Sequence, residues 1–219
     1  MSTTTHALTL REARELAKPL IEALGPHCER AEVAGSIRRD KPFVNDIEIV
    51  CVPKTVKLTA PKVIRSADLF ADEEAVEETK TMRVPGFVNA VDGWQTASLD
   101  HGFQQAWSNC QTTKFGSAWD ARYCKFHLPN GTQVDLFITT PEQWGYIMLI
   151  RTGSADFSKL IATRWSATGH KGINGELTRN GLVLNFREED ELFHHLGLRT
   201  PHPSEREMTA DGISKWLKP

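Results

Sequence analysis

Residues Ala34-Gly35-Ser36-Ile37-Arg38-Arg39 are followed by Asn45-Asp46-Ile47-Glu48-Ile49-Val50. A Gly-Ser turn thus leads to two arginines, and two carboxylates then sit one residue apart in an apolar run. Side chains of a strand alternate between its faces, so Asp46 and Glu48 share a face, roughly 7 Å apart along the backbone. Ile47, Ile49 and Cys51 take the other face and enter a core. Two acids side by side repel unless a cation lies between them. Hard divalent metals with oxygen ligands meet that need, and Mg2+ held by carboxylates plus substrate phosphates is a common solution. The Gly35-Ser36 turn permits close backbone approach and offers N–H donors to phosphate oxygens. Arg38 and Arg39 offer forked donors to the same oxygens. Together these residues point to phosphoryl or nucleotidyl transfer. An Asp-x-Glu on a strand is, alone, more often a solvated face. The turn and arginines at this spacing separate the two readings.

A two-metal site needs a third carboxylate, and Asp135 is the candidate. It interrupts the apolar strand Thr132-Gln133-Val134-Asp135-Leu136-Phe137-Ile138. Pro129-Asn130-Gly131 before it is a hairpin-turn signal, and Arg122 to Leu128 reads as the partner strand. An isolated Asp in such a strand can also protect a sheet edge.

The elements that must position these residues follow from periodicity. Thr9 to Ala23 reads as an amphipathic helix, with Leu10, Ala13, Leu16, Ala17, Leu20 and Ile21 on one stripe and Gly25-Pro26 ending it. Glu32 to Val52 holds the first strands. Lys54 to Gly116 is read as a basic loop, a helix across Ser66–Lys80 and short strands around Pro85–Val91. Arg122 to Thr140 is a hairpin. Helices are expected from Pro141-Glu142-Gln143-Trp144 toward Leu149, across Thr152–Thr168 and across Glu188–Leu196. Leu177 to Leu184 is strand-like around Asn180-Gly181, and Thr209 to Leu217 is a candidate tail helix. Trp144 and Trp165 fall in apolar helices and suit core packing. Trp94 and Trp107, in the insertion, are the better candidates for stacking on bases. His194-His195 diverge on a helix and read as surface residues.

The chain resembles the DNA polymerase X family, whose palm is of the DNA polymerase β-like nucleotidyltransferase type. Gly35-Ser36 through Asp46-Ile47-Glu48 has the family's pattern and spacing, and Val134-Asp135-Leu136 is similar to its third-carboxylate strand. Pro141-Glu142-Gln143-Trp144 and then Thr152-Gly153-Ser154 resemble the palm-to-thumb junction. Ile173 to Leu177, Arg187 to Phe193, Leu196-Gly197-Leu198 and Pro201 to Glu207 resemble the thumb and closing segment. The resemblance implies an α+β fold. A nucleotidyltransferase palm over residues 1–145, a mixed or antiparallel sheet with helices, carries an insertion at about 54–116. A small α/β thumb follows over 146–219. It also implies a template-directed DNA polymerase that adds dNTPs to primer 3′ ends in gap-filling, repair-type synthesis.

The resemblance further implies two Mg2+ ions, with Mn2+ as an alternative, on Asp46, Glu48 and Asp135. Gly35, Ser36 and Arg39 would bind the β- and γ-phosphates, with Arg38 in support. Gly153 and Ser154 would meet the nucleotide sugar. Lys54, Lys57, Lys159 and Arg164 would contact DNA. Five positions depart from the family pattern: Glu48 stands where Asp is usual, and Gln133 where a basic residue is frequent. Ile150-Arg151 replace an aromatic pair, and Ala162 replaces a thumb arginine. The lyase domain and helix-hairpin-helix motifs of larger members have no counterpart, which implies a minimal form without lyase activity. Two other readings compete: a template-independent or non-DNA nucleotidyltransferase, and a non-catalytic DNA-binding module.

Composition bounds the rest. At 219 residues the chain can bury one good core or two small lobes. Its 25% charged and 40% hydrophobic residues are those of a globular protein. No run reaches membrane-spanning length, and Met-Ser-Thr-Thr-Thr lacks a secretory core, so a soluble, cytoplasmic monomer is expected. Cys28, Cys51, Cys110 and Cys124 form no CxxC pair and read as reduced thiols. The net charge of −2 is unevenly spread: Lys54, Lys57, Lys62 and Arg65 form an acid-free run. A few phosphate contacts there suffice for a salt-sensitive grip on DNA.

Overall fold

Thr9 starts the first helix, α1 (Leu10–Leu24), through a capping box with Glu12, and Gly25 caps its end. Ala13, Ala17, Leu20 and Leu24 bury one stripe of α1 against the sheet. The structure is a computed structural model and describes residues 7–64, 74–91 and 122–207. Its fold is α+β.

β1 (Leu8–Thr9) pairs with β3 (Phe43–Val44). β2 (Cys28–Val33) leads through the single helical turn α2 (Gly35–Arg38) to β4 (Asp46–Pro53). β7 (Tyr123–His127) and β8 (Gln133–Ile138) form the expected hairpin. These four longer strands make one sheet in the order β2-β4-β8-β7, with β4 and β8 parallel and the outer pairs antiparallel. The sheet is therefore mixed. One face packs on α1, burying Ile47, Ile49, Cys51, Val134 and Leu136.

The insertion differs from its sequence reading. Residues read as a basic loop form β5 (Thr55–Ile64), which pairs antiparallel with β6 (Glu74–Arg83) where a helix was expected. Glu, Ala and Met favour a helix locally, but cross-strand pairing overrides a preference of a few tenths of a kcal/mol per residue. Conversely, 85–91 is a helix, α3, and not short strands. Pro85 suits a first helical position, and Phe87, Val88 and Val91 bury a helical stripe in the same core as α1. Trp94, Trp107 and the tail helix at Thr209–Leu217 lie outside the described residues, as does Cys110. Cys28, Cys51 and Cys124 are buried and form no disulfide among the described residues.

α4 (Trp144–Thr152) joins two cores. Trp144 and Met148 pack with Ala34, Val50, Val52 and Phe137, while Tyr146 and Leu149 belong to the C-terminal cluster. That cluster is closed by α5 (Ala155–Ala167) and α6 (Glu189–His195), which supply Phe157, Ile161, Trp165, Leu192 and Phe193. β9 (His170–Ile173), β10 (Glu176–Arg179) and β11 (Leu182–Leu184) form a small antiparallel sheet beside it, turning at Asn180-Gly181. At Gly145, an added Cβ would lie 2.3 Å from the Glu188 carbonyl oxygen, so glycine alone lets α4 approach the chain before α6. Trp144 and Trp165 are buried, and His194 and His195 are exposed, as expected. Among the described residues, no helix is long and apolar enough to cross a membrane.

An ion network locks the junction. Glu189, buried, accepts from Arg206 at 2.6 Å and pairs with Arg38 at 2.5 Å. Burial alone would raise the Glu189 carboxyl, but Arg206 and Arg38 outweigh it and hold its pKa below the ordinary value. Arg206 is 1% exposed and also donates to the Pro201 carbonyl. Replacing Arg206 by Met removes the charge and leaves Glu189 with one cation in a buried setting. We expect Arg206→Met to cost about 3–5 kcal/mol in urea denaturation near neutral pH. Because the Glu189 pKa is depressed, its favourable contribution is lost as pH falls through that value, so the cost should shrink in acid.

Candidate active site

Parallel pairing of β4 with β8 sets Asp46 opposite Gln133 and Glu48 opposite Asp135. Glu48 and Asp135 are thus direct cross-strand neighbours, and Asp46 lies two residues along the same face. Ile47, Ile49 and Cys51 are fully buried on the opposite face, as their alternation implied. Three carboxylates predicted from separate segments therefore meet on one patch of sheet.

Their surroundings are unequal. Asp135, buried, accepts from the Tyr123 hydroxyl at 2.6 Å and the Gln133 amide at 2.8 Å, with Lys125 Nζ at 3.9 Å. Among the described residues, Glu48 has no such donors. Burial first, then the charges of Asp46 and Asp135, push its pKa up to about 7, and Arg151 and Arg39 only partly oppose this. Burial and Asp135 also raise Asp46.

The turn before β4 comes close to this patch. Gly35 has φ +57°, and a Cβ there would sit 1.7 Å from Glu48 Oε2. The Ala34 amide donates to the Glu48 carbonyl at 2.8 Å, fixing the turn to the strand. The Ser36 hydroxyl is buried and has no hydrogen-bond partner among the described residues, an orphan that calls for a ligand or water.

The arginines of the turn are engaged elsewhere. Arg38 donates to the Thr152 hydroxyl at 2.6 Å and pairs with Glu189. Arg39 donates to Glu207 at 2.9 Å and to the Thr152 carbonyl. Gly153, at φ +45°, and Ser154, which caps α5, follow directly. The Ser154 hydroxyl donates to the Arg206 carbonyl at 3.2 Å. The four remaining basic candidates are dispersed. Lys54 donates to the Pro26 carbonyl at 2.9 Å, and Lys57 is exposed. Lys159 lies 3.7 Å from Asp156, and Arg164 donates to the Leu196 carbonyl at 3.2 Å.

Glu48 and Asp135 open onto a cavity of about 640 Å3, also lined by Tyr123, Phe137, Tyr146, Arg122 and Arg151. That volume lies within the ~300–1,000 Å3 of small-molecule sites. The donor set, three carboxylates on one face of the sheet, suits a hard divalent ion. As the side chains stand, no three His, Cys, Asp or Glu groups among the described residues converge on one point for a metal. Glu48 is folded toward Gly35 and Asp135 is held by Tyr123, so metal binding asks for side-chain rotation. Tyr123 was not singled out from sequence as a partner of Asp135, nor were Glu189 and Glu207 as partners of the arginines. The Asn130-Gly131 turn fixes the hairpin register, which could have revealed Tyr123 diagonal to Asp135.

A scan against protein-family models finds no match to this chain, and a search of curated proteins finds none.

The Glu48 environment has a measurable consequence. An acid whose folded pKa stands near 7, against an ordinary 4.5, binds more protons when folded. Its favourable contribution is complete below about 4.5 and is lost as pH rises through about 7. In metal-free buffer Glu48→Gln should therefore stabilise the chain at pH 8 by about 1–3 kcal/mol and far less at pH 4.5. Urea denaturation at both pH values checks this. An equal effect at both would contradict it.

Proposed function

We propose that this chain is a metal-dependent nucleotidyltransferase, a DNA polymerase of X-family type that adds dNTPs to primer 3′ ends. The observation that carries the reading is the orphan Ser36 hydroxyl on a positive-φ glycine turn, directly beside the facing pair Glu48 and Asp135. A phosphate acceptor would satisfy that hydroxyl, and a divalent cation would relieve the acids. The palm-and-thumb division at residues 145 and 146 belongs to the same reading, with α4 as the shared element.

Asp46, Glu48 and Asp135 would hold Mg2+ or Mn2+, which supplies Lewis-acid activation of a primer 3′-hydroxyl and neutralises triphosphate charge. The chain's own part is positioning. The Gly35-Ser36 amides and the Ser36 hydroxyl donate to the β- and γ-phosphates. Arg39 reaches the same phosphates if the Glu207 carboxylate gives way, an exchange of one anion for another. Arg38 holds Thr152 in place beneath the Gly153 backbone, which approaches the sugar. Tyr123 and Gln133 fix the Asp135 carboxylate by hydrogen bonds. Lys57 and Lys159, both exposed, can contact the DNA backbone. DNA with a recessed or gapped 3′ end is the implied partner.

One observation favours the alternative of a template-independent or non-DNA transferase. Arg164, the basic side chain nearest the replaced thumb arginine, is occupied by the Leu196 carbonyl. A primer-extension assay on gapped, recessed and single-stranded DNA, with each nucleotide supplied singly, separates these readings. Template-matched incorporation supports the polymerase. Asp135→Ala should reduce incorporation to background while the folded baseline in circular dichroism persists. Near-normal extension by that variant would sink the site.

A further inference from the structure

Arg30, Arg38, Arg39, Arg187 and Arg206 each pair with a glutamate. Arg122 and Arg151 do not: neither makes a carboxylate ion pair or a side-chain hydrogen bond among the described residues. Both line the cavity of about 640 Å3 that opens from Glu48 and Asp135. Two guanidinium groups that line one cavity without a direct carboxylate partner leave N–H donors open to an anion.

The two are presented differently. The Arg151 guanidinium stacks on the Phe137 ring at 3.9 Å, and Phe137 in turn stacks on Tyr123 with centroids 5.1 Å apart. Stacking uses the face of a guanidinium and leaves its in-plane N–H donors unspent. Arg122 begins the hairpin and lies against the turn between β9 and β10. A Cβ on Gly175, at φ +79°, would meet its Nη1 at 3.5 Å. Glu176 also lines the cavity yet forms no ion pair with Arg122. Arg151 lines the same cavity as Glu48 and Asp135. An anion held by Arg151 would therefore share that cavity with Glu48 and Asp135.

We infer that Arg122 and Arg151 form a phosphate-binding wall in this cavity, separate from the Gly35-Ser36 turn. It takes a phosphate group of a nucleotide or of a nucleic-acid strand. Planar, always-charged forks suit phosphate oxygens better than a lysine would. Arg83, which lines the same cavity, rests over Phe87 at 5.9 Å and is not needed for the argument. The inference deepens the polymerase reading by naming where a second phosphate is held, but it concerns binding and not turnover.

The test measures binding in EDTA, so that no reaction intervenes. dTTP is followed by equilibrium dialysis, and a fluorescent single-stranded 12-mer DNA by anisotropy, with wild type, Arg122→Gln, Arg151→Gln and the double variant. Charge-assisted hydrogen bonds of this kind support roughly a tenfold loss per residue in at least one probe. Loss for dTTP alone assigns the wall to the nucleotide, and loss for the 12-mer alone assigns it to the strand. Lys171→Gln, exposed and outside the cavity, should change neither. Unchanged affinities in the double variant, or equal loss in Lys171→Gln, overturn the inference. Should a variant fail to fold, wild type suffices. Phenylglyoxal labelling mapped by mass spectrometry must show Arg122 and Arg151 protected by dTTP or the 12-mer, and absence of protection overturns the inference. Intact binding with no primer extension would instead remove the polymerase reading and leave the wall standing.

Discussion

Glu48 and Asp135 face each other across a parallel strand pair, with Asp46 two residues away on the same face. Directly opposed side chains start about 5 Å apart at Cβ, and two charges at that distance repel by about 3 kcal/mol at an effective dielectric near 20. The fold relieves this for one partner only. Asp135 receives a hydroxyl, an amide and a nearby ammonium. Glu48 is only partly relieved by the charges of Arg151 and Arg39, and burial and its neighbours push its pKa up to about 7. A β-sheet built for stability alone would not set two acids opposite each other and leave one of them without donors. The hydrophobic face beneath, with Ile47, Ile49, Val134 and Leu136 buried, holds the strands in a register that cannot slip without exposing that core.

The arginine–glutamate network performs a second task, joining the sheet to the C-terminal helices. Arg38 and Arg39 leave the turn that precedes β4 and end on Glu189, Glu207 and Thr152. Arg206 completes the junction from the far side, its guanidinium 5.2 Å over Phe193. Such buried pairs contribute little net stability when complete and cost a great deal when broken. Their effect is to specify geometry: the Gly35-Ser36 turn, the end of α4 and the start of α5 are held in one arrangement. Position near the acids is thereby inherited from contacts far in sequence.

Legibility followed the strength of local signals. Asp46 and Glu48 were readable because a period of two separated them cleanly from Ile47 and Ile49. The β7–β8 hairpin was readable because Asn130-Gly131 leaves few alternatives. The insertion was not, because its strands carry helix-forming Glu and Ala and owe their form to each other, a long-range pairing with no local mark. Helix 85–91 did carry a mark, Pro85 ahead of Phe87, Val88 and Val91, that the short-strand reading passed over. The arginines were legible as types but not as partners. Nothing near Arg39 in the chain announces Glu207, 168 residues on.

That last point bears on how charge is distributed around the acids. The guanidinium groups of this region fall into two sets. Arg38, Arg39 and Arg206 are spent on glutamates, so the electrostatic relief they give Glu48 is indirect and small. Arg122 and Arg151 line the cavity and have no carboxylate partner among the described residues. Had all five been unpaired, the acids would sit in a strongly cationic pocket and ionise readily, with little left for a metal to do. Had all five been paired, the cavity would repel every anion. The observed division leaves, in one cavity, a carboxylate short of donors at Glu48 and two guanidinium groups short of a direct anion. A ligand carrying phosphate, together with a cation, answers both deficits at once, whereas a neutral ligand answers neither.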